Sequence, residues 1–208
     1  MGAGILPTTI HNNKLYFLFG KENKYEDSAS GYSDFGGGTD NDESYLDTAI
    51  REAGEELTGF LGGSQDIKRL ITKNGNYPID YTDKDKKFST YRMHIFPMPY
   101  DELLPFYYNN NQRFLQRRLD PKVIKKSKIF EKAIIKWVCI DDLKQMRPQF
   151  RSYFRNIVDM ILAQRHDIER FIRRHCRHRV KTPINRLKKG TEKKALRTVR
   201  KTRKKGRI

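Results

Sequence analysis

The chain has 208 residues with 43 Lys and Arg against 25 Asp and Glu, a formal net charge of +18. That length gives room for one domain with a real core and an appendage. Two cysteines, Cys139 and Cys176, are too few and too far apart for a disulfide framework or a zinc site. With no apolar run of eighteen residues and no basic-then-apolar start, a membrane span and a secretory leader are not expected. The reading is a cytoplasmic protein that is not secreted and has no membrane partner.

The charge is uneven. Residues 165–208 hold 19 Lys and Arg and 3 Asp and Glu, a net +16 of the chain's +18. A nearly neutral domain, residues 1–164, is thus expected to carry a basic extension, residues 165–208, that begins helical and becomes a Lys/Arg-rich tail.

In chain order, Gly4 to Thr9 and Lys14 to Lys21 read as strands around a His11-Asn12-Asn13 turn. Apolar residues on both faces of the second strand predict that it is covered on both sides. Glu22 to Ser30 reads as a polar loop, and Tyr32 to Phe35 as a short strand entering Gly36-Gly37-Gly38. A helix follows. Leu46, Ala49, Ile50, Ala53 and Leu57 keep one apolar stripe, and Ser44 is placed to cap its start. On a neighbouring face Glu52, Glu55 and Glu56 stand at i, i+3 and i+4, so three carboxylates project together. Such a cluster occurs on solvated helices, but it also suits a hard divalent cation, which takes oxygen ligands and keeps carboxylates ionised.

Asp66 to Lys73 reads as a strand, Asn74 to Lys87 as a proline-containing loop, and Tyr91 to Met98 as a strand whose His94 is a sheet residue. Residues 100–130 read as a long connection with a short helix near Gln112 to Leu119. Its Arg113, Arg117, Arg118, Lys122, Lys125, Lys126 and Lys128 are interleaved with aromatics. Ala133 to Ile140, bearing Trp137, reads as the last strand. From Gln149 onward Phe154, Ile157, Val158, Ile161 and Leu162 keep the spacing of a terminal helix.

Gly37, five residues, Glu43, seven residues, then Arg51-Glu52-Ala53-Gly54-Glu55-Glu56 resembles the Nudix box, with Thr58 where that family has glycine. The resemblance implies an α/β fold, an α/β/α sandwich with a mixed sheet, here followed by a basic C-terminal tail. It implies a hydrolase of phosphoanhydride bonds in nucleoside diphosphates linked to another group. Glu52, Glu55 and Glu56 would be ligands to Mg²⁺ or Mn²⁺, with Glu55 and Glu56 catalytic. Gly37, Glu43 and Arg51 would be structural. A further carboxylate from outside the box, Glu131 first and Glu102 second, would serve as additional ligand or general base.

The family does not fix the substrate. A net +16 tail suits a long polyanion, because it can neutralise many phosphates irrespective of sequence. The reading is removal of the 5′ cap of mRNA. RNA would be held by Arg113, Arg117 and Arg118 and by the tail residues Lys188, Lys189, Lys193, Lys194, Lys204 and Lys205. In overall character the chain is similar to Nudix proteins of large DNA viruses, some of which decap RNA. Within the same class, a diphosphoinositol polyphosphate or a free nucleotide is the alternative substrate. From another class, the rival is a nucleic-acid-binding protein on a Nudix scaffold. The tail also reads as a nuclear address.

Overall fold

The computed structural model describes residues 1–24, 30–40, 42–83, 89–127 and 131–176. The tail lysines named above, and Lys128, lie outside these residues. At its centre are strands β1 (Gly2–His11) and β2 (Lys14–Glu22). They form a hairpin whose turn residues Asn12 and Asn13 both take positive φ, 46° and 62°. This is the backbone that a tight two-residue hairpin needs and that asparagine tolerates. Strands β3 (Tyr32–Ser33), β4 (Phe35–Gly38), β5 (Tyr77–Asp83), β6 (Ser89–Pro97) and β7 (Lys132–Cys139) complete the sheet. Its order is β3-β2-β1-β6-β5, with β4 pairing β1 and β7 pairing β2. The β1–β6 pairing is parallel and the others are antiparallel, so the sheet is mixed.

Alternate residues of β1 and β2 feed two separate cores. On one face Ala3, Ile5 and Leu18 meet helices α1 (Tyr45–Glu56), α2 (Ser64–Asn74) and α3 (Leu103–Arg118). These bring Ala49, Ile50, Ala53, Ile67, Ile71, Leu104 and Tyr108. On the other face Leu6, Leu15, Phe17 and Phe19 meet Phe154, Ile157, Val158 and Ile161 of α6 (Phe154–Ala163) and Ile168 and Ile172 of α7 (Arg165–Cys176). The α/β/α sandwich with a mixed sheet is therefore the observed architecture. Two short helices, α4 (Pro121–Lys126) and α5 (Leu143–Met146), lie beside β7 in the chain. No helix among the described residues is long and apolar enough to cross a membrane.

Three segments differ from the sequence reading. Residues Asp66 to Lys73 are not a strand but most of α2, which buries Ile67 and Ile71, four residues apart on one helical face. Asp66 helps to start it, accepting the Gly63 N–H at 3.1 Å. Within the expected loop at 74–87, Tyr77–Asp83 is a strand paired, among the described residues, only with β6. It tolerates Pro78 because it lies at the sheet edge, where a missing N–H costs no ladder bond. The long connection of 100–130 is mostly helix: α3 spans 16 residues. Asp101 Oδ1 accepts the Leu103 and Leu104 N–H groups at its start, at 2.9 and 3.2 Å.

Candidate active site

Helix α1 starts as its sequence dictates. Ser44 Oγ accepts the Asp47 N–H at 3.2 Å, and Asp47 places a negative charge in the first turn. The buried stripe then fixes the rotation of the helix, turning Glu52 and Glu56 toward β4.

The glycines of β4 make that approach possible. Gly36 N–H donates to Glu56 Oε2 at 2.9 Å. A Cβ on Gly37 would lie 2.6 Å from the Glu52 carboxyl group, and one on Gly36 would lie 2.4 Å from the Ala3 carbonyl oxygen. Glycine serves the two positions for different reasons: Gly37 gives room to a carboxylate, Gly36 to the neighbouring strand.

Arg51 organises the outer part of the site. Its Nε and one terminal nitrogen donate to the two oxygens of Glu43 at 2.8 and 3.0 Å, and the other terminal nitrogen donates to Glu52 at 2.7 Å. It also reaches the Gly38 carbonyl oxygen at 3.0 Å and lies 3.7 Å from Glu55. Glu43 additionally accepts from Thr48 Oγ1 at 2.9 Å. The Arg51 guanidinium holds the Glu43 carboxyl down at about 2, so Glu43 is ionised at any working pH. This fork ties the glycine strand to the helix.

Glu56 faces inward. It is 4% exposed, and Lys132, with no exposed surface, lies 3.0 Å from it. Lys132 also pairs with Glu22 and donates to Ser33 Oγ at 2.9 Å, while Arg151 reaches Glu22 at 2.9 Å. Two cationic side chains and two carboxyl groups therefore share one interior site. Burial alone would discharge Lys132, but Glu56 and Glu22 at contact distance hold its pKa above the ordinary lysine range. Removing one member of such a cluster would strand the others, typically at a cost of about 3–5 kcal/mol.

Asp34 lies beside this cluster. Burial pushes its carboxyl up to about 7, against the pull of the Tyr91 hydroxyl hydrogen bond at 2.9 Å. Next to it opens a cleft of about 260 Å³ lined by Gly36, Gly37, Gly38, Tyr91, Arg151 and Tyr153, among others. Arg151 also stands 5.1 Å from the Tyr153 ring centroid. A second cavity, about 400 Å³, is lined by Glu43, Tyr45, Arg92 and His94. There burial lowers the His94 pKa to about 4, so the ring is neutral, with Nδ1 3.0 Å from Asn76 Oδ1. The smaller cleft is the better candidate for substrate, because it adjoins the strand that touches Glu52 and Glu56 and supplies the Arg151 charge.

The candidate ligands thus fall into two groups. Glu52 and Glu55 meet Arg51 at the surface, whereas Glu56 is drawn inward by Lys132. With these side-chain positions, no three His, Cys, Asp or Glu of the described residues converge as ligands to one ion. The donor chemistry nevertheless fits a hard cation: three carboxylates from one helical turn and no soft donor. Glu131 is partly exposed and adjoins Lys132 in the chain; burial raises the Glu56 pKa, and repulsion from Glu22 and, less, from Glu131 adds to it. Glu102 is exposed at the start of α3, and Arg113, Arg117 and Arg118 are exposed further along the same helix. The sequence reading missed Glu22, Asp34, Tyr91, Lys132, Arg151 and Tyr153. Lys132 stands at the first position of β7, next to Glu131, so nothing local in the sequence marks it as buried.

The chain is similar in fold to Nudix hydrolases. A Nudix hydrolase from M. smegmatis, RenU, aligns over 81% of this chain and 87% of its own, with 13% identity and a TM-score of 0.46. For a C. elegans Ap4A hydrolase the shares are 82% and 93%, with 15% identity and a TM-score of 0.42. A bifunctional NMN adenylyltransferase/ADP ribose pyrophosphatase from Francisella tularensis, complexed with AMP and a Mn ion, aligns over 78% of this chain and 41% of its own. There the identity is 15% and the TM-score 0.48. No protein-family model and no curated protein matches the chain.

Proposed function

We propose that this chain is a divalent-metal-dependent Nudix hydrolase of phosphoanhydride bonds, and that its substrate is the 5′ cap of RNA. The observation that carries the hydrolase reading is the acidic turn of Glu52, Glu55 and Glu56, whose Glu52 and Glu56 are set against the Gly36–Gly37 backbone beside a cleft that contains Arg151. Glu52, Glu55 and Glu56 would hold Mg²⁺ or Mn²⁺. Such an ion, when bound, neutralises charge on pyrophosphate oxygens and lowers the pKa of a water. The protein's own part is positional. Arg51 and Glu43 fix the glycine strand against α1, and Lys132 and Gly36 orient Glu56. Arg151 offers a cation to an anionic group in the cleft, and Glu131 is the nearby carboxylate proposed to take a proton from the attacking water.

The reading of capped RNA rests on charge. A small nucleotide has no use for the net +16 of residues 165–208, whereas RNA extends far beyond an active-site cleft. The test uses cap-labelled RNA, free cap analogue, a diphosphoinositol polyphosphate, ADP-ribose and Ap4A, each with Mg²⁺ or Mn²⁺. Release of m7GDP from RNA in preference to free cap is expected. It should be lost in Glu55→Gln/Glu56→Gln and weakened by truncation after residue 175. Faster turnover of any small substrate than of capped RNA would sink the substrate assignment. Undiminished decapping without the tail would sink its anchoring role.

A further inference from the structure

Helix α3 turns an unusual face outward. Leu103, Phe106, Tyr107 and Phe114 are 50–60% exposed. At 3.6 residues per turn they share one side of the helix with Asn110, Arg113, Arg117 and Arg118, all exposed. The opposite side is anchored. Tyr108 Oη donates to the Glu56 carbonyl oxygen at 2.6 Å, and Asn109 brackets Ile135, accepting its N–H at 2.8 Å and donating to its carbonyl at 3.1 Å. The helix is therefore tied to the end of the acidic turn and to β7, and its aromatic side is held rigidly outward.

We propose that this outer face is a platform for single-stranded RNA, on which Phe106, Tyr107 and Phe114 stack against bases while Arg113, Arg117 and Arg118 hold phosphates. The proposal rests on the reading that the substrate is an RNA. Three observations favour this occupant. The helix sequence LLPFYYNNNQRFLQRR has three arginines and no acid, so the face suits an anion. A second copy docked isologously would bring those arginines against their own counterparts, which disfavours self-association. Phe106 and Phe114 are eight residues apart, about 12 Å along the axis, too far to serve one nucleotide but suited to successive ones. Unstacked bases bind well to such aromatic and cationic surfaces, largely irrespective of sequence.

The test is fluorescence anisotropy of the full chain with a labelled, uncapped oligouridylate and with a duplex RNA of equal length, across a salt series. Phe106→Ala/Tyr107→Ala/Phe114→Ala should lose about tenfold or more in affinity for the single strand. Its salt slope and its affinity for the duplex should be unchanged. Leucine at the same three positions keeps the apolar area and should lose as much, which separates stacking from burial. Arg113→Gln/Arg117→Gln/Arg118→Gln should instead lower the salt slope by about 2. Wild-type affinity in either aromatic variant would overturn the proposal. So would wild-type self-association that the alanine variant abolishes while RNA binding is retained. Turnover of a small pyrophosphate substrate, measured on the same preparations, should not change in the aromatic variants. Failure of the wild type to turn over capped RNA or any small pyrophosphate would remove the hydrolase reading and leave the binding result standing.

Discussion

At the scale of single residues, the two glycines of β4 make a sharp comparison. Gly37→Ala would push a methyl group to within 2.6 Å of the Glu52 carboxyl, the movable end of a side chain. The fold should survive, with stability changed by less than about 1 kcal/mol in urea unfolding, while turnover falls at least tenfold. Gly36→Ala meets backbone of β1 at 2.4 Å and should cost about 2 kcal/mol or more in the same measurement. Asp34 gives a pH dependence. Its folded pKa of about 7 lies above the ordinary 3.8, so the native state binds the proton more tightly than the unfolded chain. Its contribution is therefore full below pH 4 and is lost as pH rises toward 7, at no more than about 1.4 kcal/mol per unit. Asp34→Asn keeps an acceptor for the Tyr91 hydroxyl and should flatten that slope, raising the melting temperature at pH 8 relative to wild type. An unchanged pH–stability profile would show that Asp34 does not carry the buried proton.

At the scale of elements, α1 was legible because three independent signals coincide on it: a capping serine, an apolar stripe and the box spacing. Helix α2 was not. Its Ile67 and Ile71 are β-branched and look strand-like locally, and only packing against the α1 face of the sheet makes their i, i+4 spacing decisive. Strand β5 was hidden by Pro78, which is acceptable only because the strand ends the sheet. The exit from α1 shows what the sequence departure at position 58 costs. Thr58 takes φ of 48°, a left-handed backbone that is strained for a β-branched residue, and its buried Oγ1 has no hydrogen-bond partner among the described residues. Thr58→Gly should stabilise the chain by about 1 kcal/mol, read as a higher urea midpoint at unchanged slope. A lower midpoint would mean that the threonine makes a compensating contact.

At the scale of the whole molecule, the site is assembled from segments that no local pattern connects. Glu22 lies 110 and 129 residues from Lys132 and Arg151 in the chain, yet it pairs with both in one interior cluster, where Lys132 also meets Glu56. A box motif names ligands on one helix, but charge balance beneath them depends on the β2–β7 pairing and on the turn before α6, which only the fold brings together. The central claim is that this assembly is a divalent-dependent hydrolytic centre. The most direct measurement is product formation from the phosphoanhydride panel by wild type and by Glu52→Gln, Glu55→Gln and Glu56→Gln, with and without Mg²⁺ or Mn²⁺. The account predicts cleavage that requires the ion, is removed by chelation, and falls at least a hundredfold in the three variants while Glu102→Gln stays near wild type. Cleavage that persists in those variants or without a divalent ion, or none of any substrate by the wild type, would contradict it.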